Sequence, residues 1–228
     1  MTDVTMKPIA TAYTDFPEKF GVPRQSGVVG SLTAKIVLSA AFRNPDALRG
    51  IEGFSHLWLI WDFSLSHTKT FSPTVRPPRL GGNVRMGVFA TRSPFRPNPL
   101  GLSSVRLLEV DYEDAEGPVL YVAGADLVDG TPIFDIKPYL PYTDSHPDAV
   151  GGFAEEVMGE RVKVEFPEEL LAQIPPDKRE GLCRLLAEDP RPGYQEDEGR
   201  VYGFFFSAFE IKFSVKAGVL EVLEVAKR

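Results

Sequence analysis

Apolar and polar positions alternate over short runs through the first half of the chain. Pro8–Tyr13, Gly27–Leu38, Ser55–Phe63, Met86–Thr91, Ser104–Val110 and Val119–Leu127 are rich in Val, Ile, Leu and aromatic residues. Gly50, Gly53, Gly117 and Gly130 fall near their ends, so each run reads as a strand closed by a turn. The alternation is plainest at Val105, Leu107 and Glu109, and again at Leu120, Val122 and Gly124. Only one short helix is expected here, around Asp46–Leu48 after the Asn44-Pro45 turn. Strand after strand with no long amphipathic helix predicts a mainly β fold, a barrel or sandwich rather than a layered α/β sheet.

The pattern changes near residue 145. Ser145–Gly152 is small, polar and turn-prone, and Val162–Phe166 reads as one more strand. Pro167–Ile174 and Asp177–Ala187 read as helices separated by Pro175-Pro176, with Leu182, Leu185 and Leu186 on one face. Asp189–Gly199 is expected to be a loop. Val201–Phe206, Glu210–Val215 and Val219–Val225 then read as strands, with Ala217-Gly218 making a tight hairpin between the last two. The expected organisation is a β-barrel domain over residues 1–145 followed by a small α+β domain over 146–228.

Composition narrows the class. With 43% hydrophobic and 25% charged residues in 228, a packed globular core is expected. No apolar run approaches membrane-spanning length, and MTDVTMKPIATAYTDF lacks the basic and apolar regions of a signal peptide. Cys183 is the single cysteine, which excludes an intramolecular disulfide and a cysteine-based zinc cluster. A cytoplasmic location is therefore expected.

Net charge of −7 argues at first against a nucleic-acid partner. Its distribution changes that. From Phe63 to Leu108 there is no Asp or Glu, while Lys69, Arg76, Arg79, Arg85, Arg92, Arg96 and Arg106 supply seven positive charges. A cationic stretch on an acidic body is suited to an anionic partner, although such arginines also serve to neutralise acids that folding brings close.

Two runs carry candidate chemistry. The first, Arg85-Met-Gly-Val-Phe-Ala-Thr-Arg-Ser-Pro-Phe-Arg-Pro-Asn-Pro-Leu-Gly-Leu-Ser, leads from a strand into a turn stiffened by Pro94, Pro97 and Pro99. Arg92 and Arg96 can be aimed from it at one carboxylate or phosphate; a purely structural turn with solvated arginines is the alternative. The second, Asp126-Leu-Val-Asp-Gly-Thr-Pro-Ile-Phe-Asp-Ile-Lys-Pro-Tyr, crowds Asp126, Asp129, Asp135 and Lys137 into a β-rich neighbourhood where they need partners. An acidic turn suits ribose hydroxyls or an ammonium group, and a hairpin turn with an Asp–Lys pair explains the run equally well. His56, His67 and His146 lack metal-ligand spacing, so no metal is expected. Neither a dinucleotide fingerprint, a P-loop nor a serine-hydrolase elbow is present.

These two runs, with Glu18-Lys-Phe-Gly-Val-Pro-Arg-Gln, Arg49-Gly-Ile-Glu-Gly-Phe-Ser-His-Leu-Trp, Pro73-Thr-Val-Arg-Pro-Pro-Arg-Leu-Gly-Gly-Asn and Asp189-Pro-Arg-Pro-Gly-Tyr, resemble the TsaA-like (TrmO-type) family of tRNA methyltransferases. The resemblance runs in order over nearly the whole chain. It implies a β-barrel methyltransferase fold unlike the Rossmann type, a homodimer, and S-adenosylmethionine as methyl donor. It also implies N6-methylation of the threonylcarbamoyl-modified adenosine beside the anticodon, mainly in threonine tRNA. Two departures stand out: the family's Gln-Pro-Gly is Gln25-Ser26-Gly27 here, and its Phe-His is Phe63-Ser64, with His67 the nearest histidine.

On this resemblance the donor is expected between the turn holding Gln25, Ser26 and Gly27 and the turn Asp129, Gly130, Thr131 and Pro132. Phe63, Ser64 and His67 are expected beside it, Leu102 as apolar wall, and Arg92 on the methionine carboxylate. Asn98, with the Pro97 carbonyl, is the candidate to hold the target amine, with Arg96 beside it. Arg76, Arg79, Arg85, Arg96, Lys137 and Tyr139 are the candidate contacts to the tRNA anticodon loop, where Phe89 or Phe95 stacks on splayed bases. Two rival readings are a non-catalytic module that binds S-adenosylmethionine or RNA, and an enzyme acting on a small anion.

Overall fold

Seven residues with strict period-two burial, His56–Asp62, set the pattern of the first sheet: Leu57, Leu59 and Trp61 point inward while their neighbours face out. The computed structural model describes residues 4–80, 83–156, 161–191 and 199–228. Its first sheet is a closed barrel built from β1 (Ala10–Tyr13), β2 (Thr33–Leu38) and β3 (His56–Asp62), then β6 (Leu100–Asp111), β7 (Val119–Ala123) and β8 (Thr131–Pro138). The order around the barrel is β1-β2-β7-β6-β3-β8, with antiparallel pairing throughout. Closure leaves no free edge. The long connection from β3 to β6 carries a two-stranded ribbon, β4 (Thr74–Val75) with β5 (Met86–Gly87), and a 3-10 turn over Val88–Ala90.

Four expectations about strands need correction. The run Gly27–Leu38 becomes a strand only from Thr33, because Gly27 adopts a left-handed φ of +78° and turns the chain. Met86–Thr91 is a strand for two residues and then coils into the 3-10 turn. The strand expected at Ser104–Val110 begins at Leu100. Finally, Thr131–Pro138 is a full barrel strand, paired to both β1 and β3, although its sequence reads as a polar turn. Pro132 removes one backbone donor there, yet Ile133 is fully buried and anchors the strand in the core.

The C-terminal part follows the sequence more closely. After two single-turn helices, α1 (Pro141–Asp144) and α2 (Phe153–Glu156), come β9 (Lys163–Glu165), α3 (Glu168–Leu171) and α4 (Pro176–Ala187). Strands β10 (Tyr202–Phe206), β11 (Phe209–Lys216) and β12 (Val219–Lys227) complete a sheet of order β10-β11-β12-β9, with β9 parallel to β12. Ala217 and Gly218 form the two-residue hairpin turn, with φ of +48° and +76°. Leu182, Leu185 and Leu186 of α4 are buried together against the sheet. The loop expected at Asp189–Gly199 falls largely outside the described residues.

The barrel and the four-stranded sheet each have their own core, and one segment enters the wrong one for its place in the sequence. Phe16, Val29 and Leu32, from the connection between β1 and β2, pack into the C-terminal core with Phe204, Phe206 and Phe213. Polar ties follow the same path: the Lys178 ammonium holds both oxygens of Asp15 at 2.7 Å, and the Phe205 amide donates to Glu18 at 3.3 Å. Arg24 donates to the carbonyls of Asp189 and Arg191.

Candidate functional site

Both ends of β3 and β6 obey the barrel's register, but the first turns of β6 invert the usual filling. Leu100 and Leu102 are exposed while Gly101 and Ser103 face inward. The cause is Trp61, paired directly opposite Gly101. A methyl group at Gly101 would lie 2.2 Å from the Trp61 ring, so only glycine leaves the indole its place. The indole N–H then donates to the Ser103 hydroxyl at 2.9 Å, and that hydroxyl donates to the Asp126 carboxylate. Leu102, displaced outward, becomes available as apolar wall.

This chain of hydrogen bonds ends at one mouth of the barrel. A cavity of about 450 Å³ opens there, lined by the end of β3, the start of β6, Asp126 beyond β7 and Thr131 at the start of β8. Segments 19–25, 62–66 and 91–96 wall it from above. The floor is aromatic: Trp61 and Phe63 meet with ring centroids 4.3 Å apart. Trp58, whose indole donates to Asp144 at 2.9 Å, and Leu102 extend the lining onto the outer flank.

Charge in the cavity is arranged as an acid facing a base. Burial pushes the Asp126 carboxyl above its ordinary range; the Ser103 hydroxyl and the nearby Arg92 guanidinium offset this only in part. Arg92 donates to the side-chain oxygen of Gln25, and Ser26 accepts the Ser104 amide at 3.2 Å. Gly27 closes this turn, its amide donating to Gly124 at 2.8 Å. Gly124 has a φ of +80°, and a methyl on it would press to 3.2 Å on the Gly27 backbone, so the turn docks backbone against backbone. On the opposite wall Lys19 donates to the Leu65 carbonyl at 2.8 Å and clips the 63–66 loop down.

The structure brings Gln25, Phe63, Ser64, Arg92, Arg96, Leu102 and Thr131 to the cavity lining. Ser26 and Gly27 sit behind it, as just described. Asp129 is exposed and engaged structurally: its carboxylate accepts the Thr14 amide at 2.9 Å, and its own amide donates to Phe16. Gly130 donates to Ala12, the Thr131 hydroxyl donates to Val128 at 2.6 Å, and Pro132 pairs with Thr11. His67 is outside the lining but reaches Asp62, which is in it, at 2.7 Å. Asn98 is exposed at the loop tip, and its carbonyl accepts the Leu100 amide at 2.8 Å. Three contributors escaped the reading of the sequence as a site: Trp61, Ser103 and Lys19. For Ser103 the signal was Leu100-Gly101-Leu102-Ser103, in which the small residues face inward.

Comparison with known proteins decides the family. The model of the tRNA-methyltransferase O N-terminal domain matches residues 11–145, and that of the TrmO C-terminal domain matches 159–228. The chain belongs to the TrmO family. It is 41% identical to the tRNA (adenine(37)-N6)-methyltransferase of Escherichia coli K12, over 100% of both chains. The protein of the same name from Eikenella corrodens is 47% identical over 73% of this chain and 93% of its own length. A crystal structure of TrmO from Pseudomonas aeruginosa superposes with a TM-score of 0.80 at 32% identity, covering 100% of this chain and 99% of that one. The mainly β barrel fold expected from the strand pattern is thus the fold of the TrmO family.

The cationic stretch of this TrmO-family chain borders the cavity. Arg96 lines it and is fixed from behind, with one guanidinium nitrogen donating to the carbonyls of Val88 (3.1 Å) and Thr91 (2.6 Å). Arg76 and Arg85 are exposed on and beside the β4–β5 ribbon, Arg85 donating to the Thr74 hydroxyl at 2.9 Å. Arg79 lies in the 3-10 turn Pro78–Leu80. Lys137, on the outer side of β8, is paired with Asp135 at 2.8 Å, and Tyr139 packs between the rings of His56 and Trp58. Among the described residues no helix is long and apolar enough to cross a membrane.

Proposed function

We propose that this chain methylates N6 of adenosine 37 in tRNA, taking the methyl group from S-adenosylmethionine. The observation that carries this reading is the barrel-mouth cavity, in which a half-buried carboxylate, a guanidinium and an aromatic floor converge in a chain matched to both TrmO domains. The donor set fits the cofactor: Asp126 is a carboxylate set for a cationic group, Arg92 a guanidinium set for a carboxylate, and Trp61, Phe63 and Leu102 are apolar walls. Bound S-adenosylmethionine supplies an electrophilic methyl on a cationic sulfur. The protein's own residues then have to position and shield more than activate.

We assign their parts as follows. Gln25 steers the Arg92 guanidinium, Gly27 and Gly124 fix the turn that carries Gln25, and Ser103 orients the Asp126 carboxylate. Gly130, Thr131 and Pro132 hold the opposite turn, with Ser64 and His67 at the rim. Asn98 and the Pro97 carbonyl hold the target amine. Arg76, Arg79, Arg85 and Arg96 contact phosphates or the substrate's carboxylate, and Lys137 and Tyr139 extend that contact along β8. The substrate is the threonylcarbamoyl-modified adenosine, chiefly of threonine tRNA, and the working form is a cytoplasmic homodimer with a barrel domain over 1–145 and a second domain over 146–228.

The test is incubation with labelled S-adenosylmethionine and tRNA carrying or lacking the threonylcarbamoyl group, read by nucleoside mass spectrometry. Label is expected on N6 of the modified adenosine alone. Equal methylation of both tRNAs would overturn the substrate assignment, and label on neither the enzyme reading.

A further inference from the structure

Beside the cavity, two large apolar rings stand in solvent. Phe89 is 73% exposed and Phe71 55% exposed, and they lie nearly parallel, at 25° with centroids 6.3 Å apart. The Arg96 guanidinium sits over Phe89, 5.7 Å from its centroid. Arg96 is itself held by the Val88 and Thr91 carbonyls, so the cation, the ring and the 3-10 turn that carries the ring form one fixed unit. A single exposed phenylalanine needs no explanation. Two stacked ones under a clamped guanidinium form a flat surface of the kind on which nucleobases stack.

We infer that Phe71, Phe89 and Arg96 form a stacking platform for an unpaired nucleobase that flanks the target adenosine in the anticodon loop. This rests on the tRNA reading above and specifies how the substrate is held. The occupant follows from charge and position. The surrounding stretch, Phe63–Leu108, has seven cations and no acid, which suits a polyanion and disfavours an apolar protein face. Arg96 and Thr91 line the cavity, so the platform begins at its rim. An adenosine drawn into a cavity must leave the stack of its neighbours, and the neighbour then exposes a bare face. The platform replaces the lost stacking partner. The two Nη1 bonds to carbonyls hold the Arg96 guanidinium over the Phe89 ring, so a base can stack on the pair without its edge being read.

The experiment uses the full chain and an anticodon stem-loop with 2-aminopurine on one side or the other of the target. Binding of the parent protein is expected to change the probe's fluorescence at one of the two positions. Phe89→Leu, which keeps apolar bulk, removes that change and raises KM for tRNA about 10-fold, the loss expected for one stacked base. Phe89→Trp retains it, and Phe71→Leu weakens it. The S-adenosylmethionine dissociation constant and the salt dependence of tRNA binding stay at the parent's values in Phe89→Leu, because no phosphate contact is lost. A Phe89→Leu protein with parental fluorescence response and parental KM overturns the platform while leaving the methyltransferase reading intact. A change in sedimentation on Phe89→Leu, with the probe unaffected, assigns the rings to a contact between copies of the chain and also overturns it. If the parent binds no tRNA, the underlying reading falls and the platform with it.

Discussion

Inside the barrel, Ala10, Ala12 and Ala34 stand beside Leu57, Leu59 and Ile133, and the interior admits Ser103, Thr131 and an indole N–H. Beneath the C-terminal sheet, Phe204, Phe206, Phe209 and Phe213 interlock with Ile174, Leu182, Leu185 and Leu186. The first interior mixes alanines with larger aliphatics and tolerates polar atoms because they hydrogen-bond to partners within it: Trp61 to Ser103, Ser103 to Asp126, and Thr131 to the Val128 carbonyl. The second is coarse and apolar, and its sheet is fixed by ring packing. The cavity sits where polar atoms are held in sequence, at the barrel mouth; the dense ring packing sits in the aromatic layer. The segment from Phe16 to Leu32 joins the two, since it gives side chains to the aromatic core and lends residues 19–25 to the cavity wall.

Four substitutions break or sharpen this contrast. Phe213→Ala, fully buried, is expected to lower unfolding free energy by about 3–5 kcal/mol. It should also weaken donor binding, because the cavity wall rests on that core; calorimetric melting with a binding titration measures both. Donor affinity that survives in a destabilised Phe213→Ala protein would separate the two regions after all. Arg92→Ala should do the reverse, raising the S-adenosylmethionine dissociation constant roughly 10–100-fold, as for one charge-assisted contact worth about 1.5–3 kcal/mol, with little change in melting. Unchanged affinity would remove Arg92 from the donor site. Gly101→Ala should cost about 1–3 kcal/mol by overpacking against Trp61 and disturb the Ser103–Asp126 chain. A parental melting curve for it would show that the indole has room to yield.

The smallest effect is a pH dependence. The Asp126 carboxyl is raised in the folded chain, so its contribution to stability is fully present below the ordinary aspartate range and is lost as pH rises through the raised value. A cationic ligand prefers the carboxylate, so its binding moves the opposite way and weakens as pH falls through that same window. Asp126→Asn should flatten both dependences, measured as melting temperature and donor affinity between the ordinary aspartate range and neutrality. A retained pH slope in Asp126→Asn would place the titrating group elsewhere.

Legibility in the sequence tracked how local each constraint is. β3 and β11 are readable because their alternation is set by one sheet face each. The start of β6 is not: Leu-Gly-Leu-Ser places leucines outward because a tryptophan 40 positions earlier claims the interior. β8 hides behind Pro132, Asp135, Lys137 and Pro138, polar or strand-breaking residues tolerated because Thr131 and Ile133 are buried and Ile136 packs against the core, holding the strand between β1 and β3. Arg92 and Gln25 each read from the sequence as candidates; that they line one cavity and hydrogen-bond across 67 positions did not. Nor does anything periodic mark Phe16, Val29 and Leu32 as belonging to a distant core.

That last feature has a consequence for synthesis. Glu18 and Phe205 touch although 187 positions separate them. As the chain leaves the ribosome, the barrel strands through Pro138 can pair while Phe16, Val29 and Leu32 still lack their sheet, whose strands β10 to β12 are made later. Until β10 to β12 emerge, three apolar side chains stay uncovered and residues 19–25 stay unbraced. Until those strands emerge the nascent barrel exposes more apolar surface than the folded chain and its cavity wall is incomplete, so the cavity is finished only after the C-terminal sheet has left the ribosome.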